Sequence, residues 1–306
     1  MNVREWALPV YTILIQLAVG AVFVLWVIRA LAMRKFDPGE IDRITRNPIM
    51  VIFFTVLVAM VGSHFHLSKP FHSFYAVLNF STSWLSREVF FTMIFFLLLL
   101  ALWLLSQYKK EKRFLITLCG WAAIFFGFIT VYAMARIYML PTQVAWNSSL
   151  VVISFLISTI LMGAITIACL FMLDLKFSEI QKEDDIDTRV QVTKDSLIGL
   201  VLLTFFGALA SIAVTFYQIF LLGQGNAISL TSLQLLLGLY YPVLILRLIC
   251  IIIAPLWMSL GIYQMRKSGF APQGLMIPIY LSSLLVLIGE IIGRFLFYAT
   301  HIRLGV

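Results

Sequence analysis

Apolar segments of about 20 residues recur eight times along this chain, parted by short polar connections. That recurrence constrains the fold more than any single motif. In hydrocarbon a backbone must close its hydrogen bonds internally, so each segment is expected to be a helix. The spans lie near 8–32, 48–68, 88–107, 114–137, 148–173, 197–222, 238–263 and 275–300. Mean hydropathy is +1.01 and only 12% of residues are charged, about half the charge of a soluble domain. No soluble core hides that much apolar surface. The expectation is an all-α, polytopic membrane protein with eight transmembrane helices, forming a single integral membrane domain over residues 1–306. The first span follows "MNVREWALPV" with no small-residue cleavage site, so it reads as a retained helix and not a signal peptide.

The connections divide by charge. Loops 33–47, 108–113, 174–196 and 264–274 hold fourteen of the 22 Lys and Arg residues, while loops 138–147 and 223–237 hold none. The positive-inside rule puts the basic loops in the cytoplasm and both termini outside. The net charge of +8 therefore reports topology and not nucleic-acid binding. Loop 174–196, "DLKFSEIQKEDDIDTRVQVTKDS", is the most polar stretch and reads as a solvated connection, or a docking surface for a soluble partner. It separates four helices from four. Helices one and five each carry a small-residue patch, Gly20-Ala21 and Gly163-Ala164, which would suit a duplicated four-helix bundle.

Charges inside the spans are few. Arg29 is near a cytoplasmic end and can snorkel. Arg136, Arg247 and Arg294 also lie within spans and are not so easily dismissed, and the acids Glu88 and Glu290 accompany them. A charge at mid-membrane costs about 2.5–3.5 kcal/mol, so such groups face the interior and have partners or a function. His64, His66, Glu88 and Arg136 lie at or near outer helix ends; Arg247, Glu290 and Arg294 lie in outer halves. The inner half is nearly bare. Ionisable groups from five helices at one depth suggest a site.

Each residue also has a purely structural reading. Glu290 and Arg294 have the i,i+4 spacing of an intrahelical ion pair. Glu88 can complement the helix dipole beside Arg87. His64, His66 and His72 can be wetted by headgroups, and Arg136 and Arg247 can pair with helix-end carbonyls or a carboxylate. Trp84 and Trp146 fit an interfacial belt. Cys119, Cys169 and Cys250 fall singly in apolar runs, form no CxxC pattern and read as small hydrophobes, so no metal site is implied.

Oxidising a quinol releases two electrons and two protons. Its site needs an apolar slot, donors for two ring oxygens, and a base with an exit to water. A histidine titrates near neutrality and can bond a quinol oxygen. A carboxylate in a partly dry environment is a usable base, and arginines can hold it or polarise a quinone carbonyl. The alternatives are a secondary transporter with a polar site in the outer half, or a purely structural anchor. A haem is not expected. Bis-histidine ligation needs imidazoles on facing helices, and the one cross-chain pairing, His66 with His301, lies near the surface.

"HLSKPFHSFYAVLNFSTSWLSREVFF" and "GEIIGRFLFYATHIRLGV" resemble two segments of the dimethyl sulfoxide reductase membrane-anchor family (DmsC), related to polysulfide-reductase-type membrane subunits. The first carries the family's His-Leu-x-x-Pro and Leu-Ser-x-Glu elements, the second its Gly-Glu-x-Ile-Gly-Arg last helix. "MARIYMLPTQVAWN" resembles the family's fourth helix end, and the Arg247 region its seventh helix. The resemblance implies an anchor in the bacterial cytoplasmic (inner) membrane, without haem, that oxidises menaquinol to menaquinone. Electrons would pass to an iron–sulfur subunit and then to a molybdopterin catalytic subunit, which sets the terminal acceptor. It assigns His66 and Glu88 to quinol binding and oxidation, and places Glu290 and Arg294 in the last-helix motif. His64, Arg136 and Arg247 complete the candidate set. Arg87 departs from the family's frequent Asn, and Lys69 and His72 add charge nearby.

Overall fold

A computed structural model describes residues 3–64, 75, 77–109, 111–181, 186–268, 272–300 and 302. Among these the secondary structure is helical throughout, with no strand. The helices are α1 (Val3–Ala32), α2 (Pro38–His64), α3 (Trp84–Tyr108), α4 (Arg113–Tyr138), α5 (Leu150–Gln181), α6 (Ile186–Gly223), α7 (Ala227–Leu237), α8 (Tyr241–Ser268) and α9 (Pro272–Ala299). Eight are long and apolar enough to cross a membrane. The 11-residue α7 is about 16 Å long, too short to span.

Helices α1 to α4 pack into one bundle and α5, α6, α8 and α9 into a second. The seam is α1 against α5, and the two small-residue patches meet there. A Cβ built on Gly20 would lie 1.8 Å from the Thr159 carbonyl oxygen, and one on Gly163 would lie 2.2 Å from the Gly20 carbonyl carbon. Without a hydrophobic force between helices in lipid, such close backbone approach supplies the attraction. Gly20→Ala is therefore expected to destabilise the fold by about 1–3 kcal/mol, because the obstructing atoms are backbone and cannot rotate away. Gly62→Ala, with nothing within 4 Å of its added Cβ, is the control. Thermal unfolding of the purified protein in detergent reads both.

Three connections differ from expectation. Loop 33–47 becomes helical from Pro38, since Asp37 Oδ2 accepts from the Gly39 and Glu40 amides at 2.7 and 3.3 Å and proline suits the first helical turn. Loop 174–196 is helical to Gln181 and again from Ile186. Part of its polarity is used internally, since Arg189 donates to buried Asp174, which also accepts from Asn47 Nδ2 at 2.9 Å, while Lys176, Glu179, Asp187, Lys194 and Asp195 are exposed as a solvated connection requires. Loop 223–237 holds α7, whose cap Asn226 accepts from the Ser229 amide at 3.0 Å. Arg29 does not snorkel. It is 3% exposed, binds Asp42 at 2.8 Å and donates to Thr117 Oγ1 at 3.1 Å; Arg113 shares the same carboxylate at 3.1 Å. Cys250 is buried, while Cys119 and Cys169 are half-buried.

Candidate functional site

Glu88 enters from α3, whose cap is Ser83, accepting from the Ser86 amide at 3.4 Å. It lies beyond the first helical turn, which contains no acid. The helix-dipole explanation therefore loses its geometry. Arg87 does not hold it either: that guanidinium donates to the Phe80 and Ser81 carbonyls at 3.0 and 2.7 Å and covers the Trp84 ring at 4.3 Å. Glu88 instead turns inward and is 4% exposed. Beside it stands Tyr11 of α1, whose hydroxyl also meets Thr92 at 3.1 Å. The second carboxylate oxygen, Oε1, has no hydrogen-bond partner among the described residues.

Two further tyrosines lie within electrostatic reach of Glu88, Tyr138 at the end of α4 and Tyr298 at the end of α9. Their hydroxyls bond to each other. Aromatic rings wall them in. Trp146 stacks on Phe297 at 4.8 Å, and its indole donates to the Phe297 carbonyl at 2.9 Å. Trp146 is thus a buried wall residue, not a belt residue.

The last-helix pair does not bond internally. Among the described residues no ion pair joins Glu290 to Arg294. Arg294 donates to Gln16 Oε1 at 2.5 Å and lies over Phe155 at 3.9 Å, a cation on an aromatic face. Gln16 is fixed in turn by donating to the Phe155 carbonyl at 3.0 Å. Glu290 accepts from Ser158 of α5, and its Oε1 has no protein partner among the described residues. Arg247 of α8 donates to Thr215 at 2.8 Å and Ser211 at 3.2 Å, both on α6. Gly293 makes room for it, since a Cβ there would lie 2.6 Å from Arg247 Nε. Arg247, Glu290 and Arg294 line one cavity of about 90 Å³.

So Glu290, Arg294 and Arg247 come together, and Glu88 lies within electrostatic reach of the Tyr138–Tyr298 pair. Arg136 stands apart, 4.8 Å over Trp84 and 3.4 Å from the Tyr132 hydroxyl. His66, His72 and His301 lie outside the described residues, as does the side chain of His64. Sequence reasoning missed Tyr11, Gln16, Tyr138, Tyr298 and Ser158. Gln16 had a signal, an amide inside "YTILIQLAVG". Tyr138 and Tyr298 had one too, since both fall in segments that carry the family resemblance; Tyr11 had none, because near a helix end it looks like an interfacial residue.

A sequence model of the DMSO reductase anchor subunit (DmsC) family matches residues 1–300. The protein is 23% identical to an anaerobic dimethyl sulfoxide reductase chain of Haemophilus influenzae over 308 residues, covering 100% of this sequence and 98% of that one. It is 26% identical to the corresponding chain of the Escherichia coli enzyme over 311 residues, covering 99% and 96%. It is 27% identical to YnfH, another E. coli anaerobic dimethyl sulfoxide reductase chain, over 167 residues, covering 55% and 57%. With its eight apolar spans and a match over nearly its whole length, this chain belongs to the DMSO reductase anchor subunit (DmsC) family and is a multi-pass membrane protein.

Proposed function

We propose that this protein anchors a DMSO-reductase-type complex in the bacterial cytoplasmic membrane and oxidises menaquinol beside Glu88. The observation that carries this reading is the buried Glu88 carboxyl, with one oxygen unpartnered among the described residues and the Tyr11 and Thr92 hydroxyls around it. A buried polar atom without a partner is costly, so its retention favours a transient partner, and a quinol hydroxyl has the chemistry for that role. The basic loops face the cytoplasm and both termini face outward, which puts Glu88 toward the outer side.

Menaquinol, as substrate, supplies two electrons and two protons. Glu88 accepts a proton from a quinol hydroxyl, and His66 donates to a quinone oxygen. Arg294, held by Gln16 and Phe155, orients the aromatic wall. The electrons leave to an iron–sulfur subunit that feeds a molybdopterin catalytic subunit. The test uses the assembled complex and fluorescence quenching of a quinol-analogue inhibitor. Stoichiometric binding that His66→Ala weakens is expected. Binding unchanged in both His66→Ala and Glu88→Gln, with normal turnover, would leave only a structural anchor.

A further inference from the structure

We propose that the cavity walled by Arg247, Glu290 and Arg294 is a hydrated proton outlet, with Glu290 as the group that releases protons to water at the helix ends opposite the basic loops. The proposal rests on the quinol reading above and deepens it. Size is the first support. The cavity measures about 90 Å³, whereas an engineered cavity of about 150 Å³ holds a single benzene ring. It has room for waters and less space than a cavity that takes one aromatic ring.

Polarity is the second. Ser158, Ser211 and Thr215 line the cavity with the three charged groups. Glu290 Oε1 and Arg247 Nε are buried without a protein partner among the described residues. Water held by two to four such groups is a stable part of a structure. The cavity cannot be dismissed as an intrahelical ion pair, because Glu290 and Arg294 bond to different helices.

Position is the third. The lining runs from Ser158 and Glu290, inside the spans, to Leu222 and Thr300 at helix ends and Ala145 in the α4–α5 connection. Arg294 and the aromatic walls connect the cavity to the rest of the site. Arg294 lines the cavity and bonds Gln16, and the cavity walls Trp146 and Phe297 both pack against the Tyr138 and Tyr298 rings. The balance is simple. One quinol becomes one quinone; its two electrons go to the iron–sulfur partner. Its protons leave singly, from Glu88 through the tyrosine hydroxyls and cavity water to Glu290, and then to bulk water.

The test uses the whole complex in proteoliposomes with quinol as donor. Glu290→Gln is expected to lower turnover about 10²-fold, in the range of a lost proton-transfer group, while inhibitor binding stays unchanged. Azide or formate, small enough for the cavity, restores turnover, and Glu290→Asp retains part of it. Ser154→Leu, which fills the cavity without removing a charge, also slows turnover. Normal turnover in Glu290→Gln overturns the outlet. So does a joint loss of turnover and inhibitor binding with no rescue by weak acids. Should Glu290→Gln fail to assemble, normal turnover in Ser154→Leu overturns it. Normal turnover in Glu88→Gln instead defeats the quinol reading itself.

Discussion

Glu88→Gln is expected to reduce quinol-driven turnover of the complex by about 10²–10⁴-fold, the contribution of a positioned general base. Glutamine matches the carboxylate in size and still bonds Tyr11, so packing around α1 and α3 should survive. What it lacks is the ability to take a proton. The measurement is acceptor reduction in membranes, with quinol as donor, beside the rate with a soluble donor that feeds the catalytic subunit directly. The first rate collapses and the second does not. Equal loss of both would mean that Glu88 serves assembly and not proton transfer. Tyr11→Phe removes only a neutral hydroxyl at the edge of the site, so its effect should be far smaller.

Asp174→Ala is expected to be the most destabilising of the ion-pair variants, by about 3–5 kcal/mol. Asp174 and Arg189 expose only 4% and 3% of their side chains. Removing the carboxylate takes the ion-pair partner from a buried guanidinium and the acceptor from the Asn47 amide. Replacing the pair with Asp174→Leu and Arg189→Met together should recover most of the loss, since apolar residues of similar volume substitute well for a buried ion pair. Lys35→Ala makes the contrast. Lys35 meets Asp195 at 2.9 Å, but the two side chains are 65% and 48% exposed, and such surface pairs contribute about 0–1 kcal/mol. Because membrane-protein unfolding is commonly irreversible, apparent melting temperatures at one scan rate are the measure. A melting temperature for Asp174→Ala close to that of Lys35→Ala would contradict the buried-pair argument.

The spans were readable because hydrophobic length is a one-dimensional property. A run of apolar residues long enough to cross hydrocarbon must be a helix wherever it sits in the fold. The polar connections were read only in part, for the opposite reason. "DLKFSEIQKEDDIDTRVQVTKDS" is solvent-like by composition, and only the packing of α2 against α5 brings Asn47 to Asp174 and turns its start helical. Arg29 shows the same limit, since its partner Asp42 lies across a turn that the sequence leaves undefined.

Sequence alone determined that this protein is a bundle of membrane helices and that Glu88, Glu290, Arg247 and Arg294 are costly enough to need a purpose. Tertiary structure decided how they are grouped: Arg294 with Gln16 and Phe155, Glu290 with Ser158, Glu88 under Tyr11. The physical reason is that insertion energy depends on a residue and its depth, whereas a partner depends on which helix faces it. Close contact of Gly20 with Gly163 sets that facing for α1 and α5, and no periodicity along a single helix encodes it.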